Sequence, residues 1–107
     1  MTKTARVYGG SLYDLAAEEK LDGQIMEQMI AVRQIFRENP GYLKLLGEPA
    51  IPEDERLKMI EEAFGGQAER YLVNFLKLLC ERKILREFAG CCEEFIRRYN
   101  LSLIHIS

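Results

Sequence analysis

The sequence is poor in the features that carry most enzyme chemistry. It has a single histidine, His105, set in an uncharged final stretch, LSLIHIS. No Ser-His-Asp set and no Glu-x-x-His metal motif can be built from it. A surplus of positive charge is also missing: 15 Lys and Arg stand against 17 Asp and Glu, for a net charge of -2. The basic residues are interleaved with acids, as on a solvated face, so nothing offers the concentrated patch that nucleic-acid phosphates need. No apolar run approaches the ~20 residues of a membrane span, and the N-terminal MTKTARVYGG lacks the apolar core of a signal peptide. Membrane association would therefore run through a partner. There is no CxxC. The cysteines number three, Cys80, Cys91 and Cys92, and an odd count without an export signal points to reduced thiols. On a helix the adjacent Cys91 and Cys92 point about 100° apart and converge poorly on one metal ion. Cys80 and one of the pair are expected as small core residues, with the other at the edge.

Strand patterns are absent too: no stretch alternates with period two, and LSLIHIS is the lone β-like string. What remains is helical. The chain has 107 residues, 48% of them hydrophobic, which suits one domain with a real core. Pro40-Gly41, Gly47, Pro49, Pro52 and Gly65-Gly66 cut it into helix-length pieces. The first helix is expected over 4–19, with Tyr8, Leu12, Leu15 and Ala16 on one stripe. The second is expected over 22–39, with Asp22 as N-cap and Ile25, Met29, Val32 and Phe36 inward, widened by Met26 and Ile35. A short helix in GYLKLLG follows. The fourth starts at Pro52-Glu53-Asp54-Glu55, a sequence suited to a first turn, and turns Leu57, Ile60, Ala63 and Phe64 inward. The fifth is expected over 68–81, with Leu72, Phe75, Leu76 and Leu79 on its apolar face and Leu78 broadening it. The last runs over 85–99 with Phe88, Cys91, Cys92, Phe95, Ile96 and Tyr99. The expected fold class is all-α, a six-helix bundle.

Chemistry is hard to place on this frame. The acidic pairs Glu18-Glu19, Glu61-Glu62 and Glu93-Glu94 diverge on their helices and make poor acid–base dyads. Gly9-Gly10 lies inside a helix, and Gly65-Gly66 is not followed by Lys-Ser/Thr, so no phosphate loop is present. Two adjacent glycines weaken a helix and call for a reason. Either helix one packs closely on a neighbour, or it offers a groove to an external helix. The residues alone read as a helical interaction domain with an unnamed partner.

Three segments carry a resemblance. ARVYGGSLYDLAAEE resembles the opening helix of the F-type ATP synthase delta subunit family (the oligomycin-sensitivity-conferring protein in mitochondria). Ala5, Arg6, Tyr8, Leu12, Leu15 and Ala16 match its pattern, Gly9 and Ser11 stand where small alanines are usual, and Tyr13 replaces a phenylalanine. NPGYLKLLGEPAIPEDERLKMIEEAFGG and NFLKLLCERKILREFAGCCEEFIRRYN resemble its later helices. The Gly-Cys-Cys-Glu-Glu-Phe string is of clostridial type, whereas the family's usual Asn-Gly-Arg at the hinge is replaced by Arg82-Lys83-Ile84. The resemblance covers residues 4 to 100. It implies a six-helix N-terminal domain that grips the N-terminal helix of an alpha subunit in a groove between helices one and five. On that footing the small residues of helix one become a groove floor. Tyr8, Ser11, Leu12 and Leu15, with Phe75, Leu78 and Leu79, are the expected contacts. The implied role is a stator subunit that joins the catalytic head to the peripheral stalk in proton-driven ATP synthesis. It has no catalytic residue, no cofactor, no metal and no bound nucleotide, and works peripherally at the cytoplasmic face of the bacterial cell membrane.

Family members continue into a hinge and a smaller α/β domain that binds the peripheral-stalk b subunits. The resemblance therefore implies a domain over 1–100 and a native chain that extends beyond Asn100. LSLIHIS resembles one reading frame of the transposon-end adapter of sequencing libraries over all seven residues. Residues 101–107 are thus expected to be a non-native extension that frays or prolongs the last helix, leaving His105 without a role. Two rival readings are a generic helical adaptor for an amphipathic helix and a redox or metal protein using the three cysteines.

Overall fold

Gly47, Pro49, Pro52 and Gly65-Gly66 fall between helices, and Pro40-Gly41 opens the third. The computed structural model describes residues 1–104 as α1 (Lys3–Glu18), α2 (Asp22–Glu38), α3 (Pro40–Leu46), α4 (Glu53–Phe64), α5 (Arg70–Glu81), a 3-10 turn (Leu85–Glu87) and α6 (Phe88–Ile104). The all-α six-helix bundle expected from the sequence is the fold. α6 packs most extensively on α1 and then on α2, while α4 pairs with α5. The core is built from the apolar stripes of α2, α5 and α6. Ile25, Met29, Leu72, Leu76, Phe88 and Phe95 are all essentially sealed from solvent, each burial worth about 1.5–3 kcal/mol. Phe36 sits edge-on to both Phe88 (5.6 Å) and Phe64 (6.3 Å) and joins α2, α4 and α6.

α1 and α5 end in the same way. Leu21 N–H donates to Ala16 O (2.8 Å) and Lys20 N–H to Ala17 O (3.1 Å); Ile84 N–H donates to Leu79 O (2.9 Å) and Lys83 N–H to Cys80 O (3.0 Å). These are Schellman closures, which place one residue in the left-handed region. Lys20 and Lys83 occupy it, both at φ 60°. The hinge after α5 thus takes the turn that a glycine would favour, with a lysine in its place.

Several expectations are corrected. Asp22 is the first residue of α2 and not its cap; Leu21 precedes the helix and gives no side-chain cap bond. Ala63 is exposed. Both Cys91 and Cys92 are fully buried. The divergence of neighbouring helix positions explains this, because α6 is covered on two sides. Cys91 faces α1 at Gly9, and the Cys92 thiol donates to Met29 O of α2 at 3.6 Å. Gly9 and Gly10 are buried against α6 and are not a groove floor. A Cβ on Gly9 would lie 2.5 Å from Cys91 O, and one on Gly10 would lie 2.5 Å from Arg98 Nη2. The glycine pair serves close packing within the domain. α6 also runs on past Tyr99: Leu101 to Ile104 prolong it with their side chains exposed. His105 lies outside the described residues.

Glu94, from one of the acidic pairs that diverge on their helices, is 1% exposed. It accepts from Arg97 Nε (2.9 Å) and Nη2 (2.7 Å) and from Arg98 Nε (2.7 Å). Arg98 passes over Gly10 and reaches Asp14 of α1 at 3.3 Å. The two guanidinium groups hold the Glu94 carboxyl down to about 2, the Arg97 bonds first, against the opposing effect of burial. The interface between α1 and α6 is therefore tied by a charge network beside its glycine contact.

Candidate helix-binding groove

α1 has two working faces. Ala5, Gly9 and Ala16 turn toward the bundle. The adjoining face carries Val7, Tyr8, Ser11 and Leu15, and α5 offers Tyr71, Asn74 and Leu78 opposite them. Together with Leu12 and Phe75 at their base, these residues line a cavity of about 560 Å³. Positions 8, 11, 12 and 15 and positions 71, 74, 75 and 78 follow helical spacing, so each wall is one face of one helix. The walls run about 10 Å each, at 1.5 Å per residue.

The groove is apolar and open. Val7, Leu15 and Leu78 are 53%, 36% and 37% exposed, an arrangement a soluble surface seldom leaves without a purpose. Leu12 and Phe75 are buried and form its floor, continuous with the core. The polar groups are few. The Ser11 hydroxyl donates to Val7 O of its own helix (2.8 Å), which satisfies it and keeps the wall low. Tyr71 Oη donates to Glu19 Oε1 at 3.3 Å. The nearby Glu19, helped by burial and by Glu69 and Glu18, pushes the Tyr71 phenol up from its ordinary range. The Tyr71 end of the groove is therefore electronegative.

Six of the seven residues expected at the contact line this cavity: Tyr8, Ser11, Leu12, Leu15, Phe75 and Leu78. Leu79 does not. It is 0% exposed and belongs to the core with Leu72 and Leu76. Leu78 and Leu79 sit about 100° apart on α5, so one can face the groove only if the other faces inward. Val7, Tyr71 and Asn74 line the groove without having been expected there. Their positions, four residues before Ser11 and seven and four before Leu78, carry the helical spacing that would have found them.

The cysteines form no such site. Burial pushes the thiols of Cys91 and Cys92 up to about 12 and that of Cys80 up as well, although Arg56 pulls against it. At neutral pH they are thiols, not thiolate nucleophiles. Among the described residues no three His, Cys, Asp or Glu side chains converge on a metal position, and no helix is long and apolar enough to cross a membrane.

The fold and groove thus define a class: a small helical domain with an open apolar channel between its first and fifth helices. The ATP synthase delta (OSCP) subunit family model matches residues 4–104, and the chain belongs to that family. It is 29% identical to ATP synthase subunit delta of Lachnoclostridium phytofermentans over 94 residues, 88% of this chain and 52% of that protein. It is 33% identical over 96 residues to the subunit delta of a Geobacillus species, covering 90% and 53%. With that of Bacillus subtilis it shares 28% over 95 residues, covering 89% and 52%. The chain spans about half the length of the curated relatives it matches.

Proposed function

We propose that this chain is the head-gripping domain of an ATP synthase stator connector and that its groove receives the N-terminal helix of an alpha subunit. The carrying observation is the channel between α1 and α5, whose walls expose Val7, Leu15 and Leu78 while its floor is already packed. An amphipathic helix laid along it buries those side chains and gains affinity from apolar contact, with a polar rim setting register. Glu18, Glu19 and Glu69 around Tyr71 favour a cationic residue at that end of the bound helix. The domain does no catalysis. It holds the head still while a rotor turns inside it, so that torque reaches nucleotide chemistry. On this reading the domain spans 1–100, the peripheral-stalk b subunits are bound by a domain beyond it, and residues 101–107 are an adapter-derived extension. The exposure of Leu101, Leu103 and Ile104 supports that last part.

Membership of the family and the groove's length and apolarity favour this over a generic adaptor. The test is capture of isolated F1 head by the immobilised chain, before and after proteolytic trimming of the alpha N-terminus. Capture that trimming abolishes is the expected result. Capture that survives trimming puts the contact elsewhere.

A further inference from the structure

A second cavity, about 540 Å³, lies among α3, Arg56 of α4, the end of α5 and the 3-10 turn. Lys44, Arg56, Lys83 and Arg86 line it, and no carboxylate does. A smaller cavity of about 140 Å³ shares Leu43, Leu85 and Arg86 with it and adds Arg33 and Arg37, again with no acid in its lining. In a chain with more acids than bases, every charged residue lining these two neighbouring hollows is a cation.

The centre of this arrangement is Arg56, which is 6% exposed. Its Nε donates to Ile51 O (3.0 Å), and its Nη1 reaches Leu46 O (3.5 Å) and Cys80 Sγ (3.6 Å). These partners are neutral. Among the described residues Arg56 forms no ion pair, and its Nη2 has no protein partner. That nitrogen is not sealed either, since Tyr42 Oη is the one buried side-chain oxygen or nitrogen left without a partner among the described residues. Glu53 and Glu81 bear on the neighbouring Cys80 thiol more weakly than Arg56 does, and neither lines the cavity. A guanidinium that is 6% exposed, bonded to neutral acceptors and open at one nitrogen favours an anion brought to that nitrogen.

We propose that this cavity is a binding site for a small phosphate-bearing ligand of two or more negative charges. The planar fork of a guanidinium matches the oxygen geometry of phosphate. Four cations around one hollow exceed what a single carboxylate neutralises. The volume is within the usual range for small-ligand pockets, and Leu43, Leu46 and Pro49 give the rest of the ligand an apolar wall. The site shares no lining residue with the α1–α5 groove and stands independently of the function proposed for that groove.

The test is titration of the isotope-labelled 107-residue chain with pyrophosphate near physiological salt, followed by backbone amide shifts. Inorganic phosphate and tricarballylate serve as parallel probes. Saturable shifts are expected at Gly47, Arg56, Cys80 and Arg86, with Tyr8 and Ser11 still. Inorganic phosphate should bind about tenfold more weakly, the loss expected for one charge-assisted contact. The exposed-site double variant Lys83→Gln, Arg86→Gln should keep its melting temperature and lose at least about tenfold in affinity on the same scale. Shifts scattered over Lys3, Lys20 and Lys58, unchanged binding by the double variant, or tighter binding of tricarballylate than of pyrophosphate would each overturn the assignment.

Discussion

Replacing Gly9 by alanine sets two effects of opposite sign against each other. Alanine is the better helix former by about 1 kcal/mol, so propensity alone predicts a more stable protein. The packing predicts the reverse. The new methyl would stand 2.5 Å from Cys91 O, 2.9 Å from its Cα and 3.1 Å from its carbonyl carbon. All three atoms are backbone and cannot swing aside, so α1 and α6 must part by the better part of an ångström. They approach closely at a second point as well, where a Cβ on Gly90 would lie 2.7 Å from Ala5 Cβ, so the movement would not stay local. Overpacking of this kind costs about 1–3 kcal/mol, and with the worst contact on an unyielding carbonyl the upper half of that range applies. The net expectation for Gly9→Ala is a loss of about 1–2 kcal/mol, or a melting temperature lower by about 5–10 °C in a domain of this size. Gly41→Ala is the matched control: it also lies in a helix, but a Cβ added there would meet nothing within 4 Å. It should gain up to about 1 kcal/mol. Urea unfolding followed by circular dichroism separates the two through the midpoint at constant slope. If Gly9→Ala is as stable as Gly41→Ala, the close approach of α1 and α6 is wrong, and the glycine pair is free to serve an external partner.

Other expectations follow from the same contacts. Removing the Glu94 carboxylate with Glu94→Gln should cost about 1–3 kcal/mol, below the full penalty for splitting a buried pair because Arg97 and Arg98 reach solvent. The Glu94 carboxyl, and the Glu61 carboxyl that accepts from Arg70 and from Lys77, are held at about 2 in the folded protein against an ordinary 4.5. Their contribution is therefore complete above pH 4.5 and is lost as the pH falls from there toward 2, and Glu94→Gln should flatten that acid limb in a pH series of urea midpoints. Lys20→Gly should raise stability by about 0.5–1 kcal/mol, because a left-handed lysine is replaced by the residue that bears that conformation without strain. The three thiols should resist a thiol reagent at neutral pH and react only as fast as the domain unfolds; rapid labelling of the native protein would contradict their burial. Deleting 101–107 should leave the melting temperature within a few degrees, since Leu101, Leu103 and Ile104 are exposed.

The helices were legible because their punctuation and their apolar spacing agree. The groove was legible only through the family resemblance: spacing put Tyr8, Leu12 and Leu15 on one stripe and Phe75 and Leu78 on another, and the resemblance singled out those two helices as its walls. The failures occur where one helix is covered on more than one side. Leu79 looks like Leu78 in sequence, and only the position of the α5 axis decides which of them enters the core. Gly9 and Gly10 mark a close approach, but a sequence does not say from which side the neighbour comes. Cys91 and Cys92 are both buried because α1 and α2 cover adjacent faces of α6. Glu94 and Arg56 are charges that a pattern assigns to the surface. The first is buried by its arginine partners, the second by the carbonyls of the loops around it.

Whether the α1–α5 groove receives an alpha-subunit helix, as proposed, is decided by calorimetry. Residues 1–100 would be titrated with a synthetic N-terminal peptide of the alpha subunit from a clostridial relative, beside the variant Leu15→Asp, Leu78→Asp. Both of these side chains are over a third exposed, so the variant keeps the core that a change at Leu12 or Leu79 would damage. Saturable binding with a negative heat-capacity change is expected, lost in a variant that still folds. Absence of binding by the folded wild-type domain, or equal binding by the variant, would contradict the proposal.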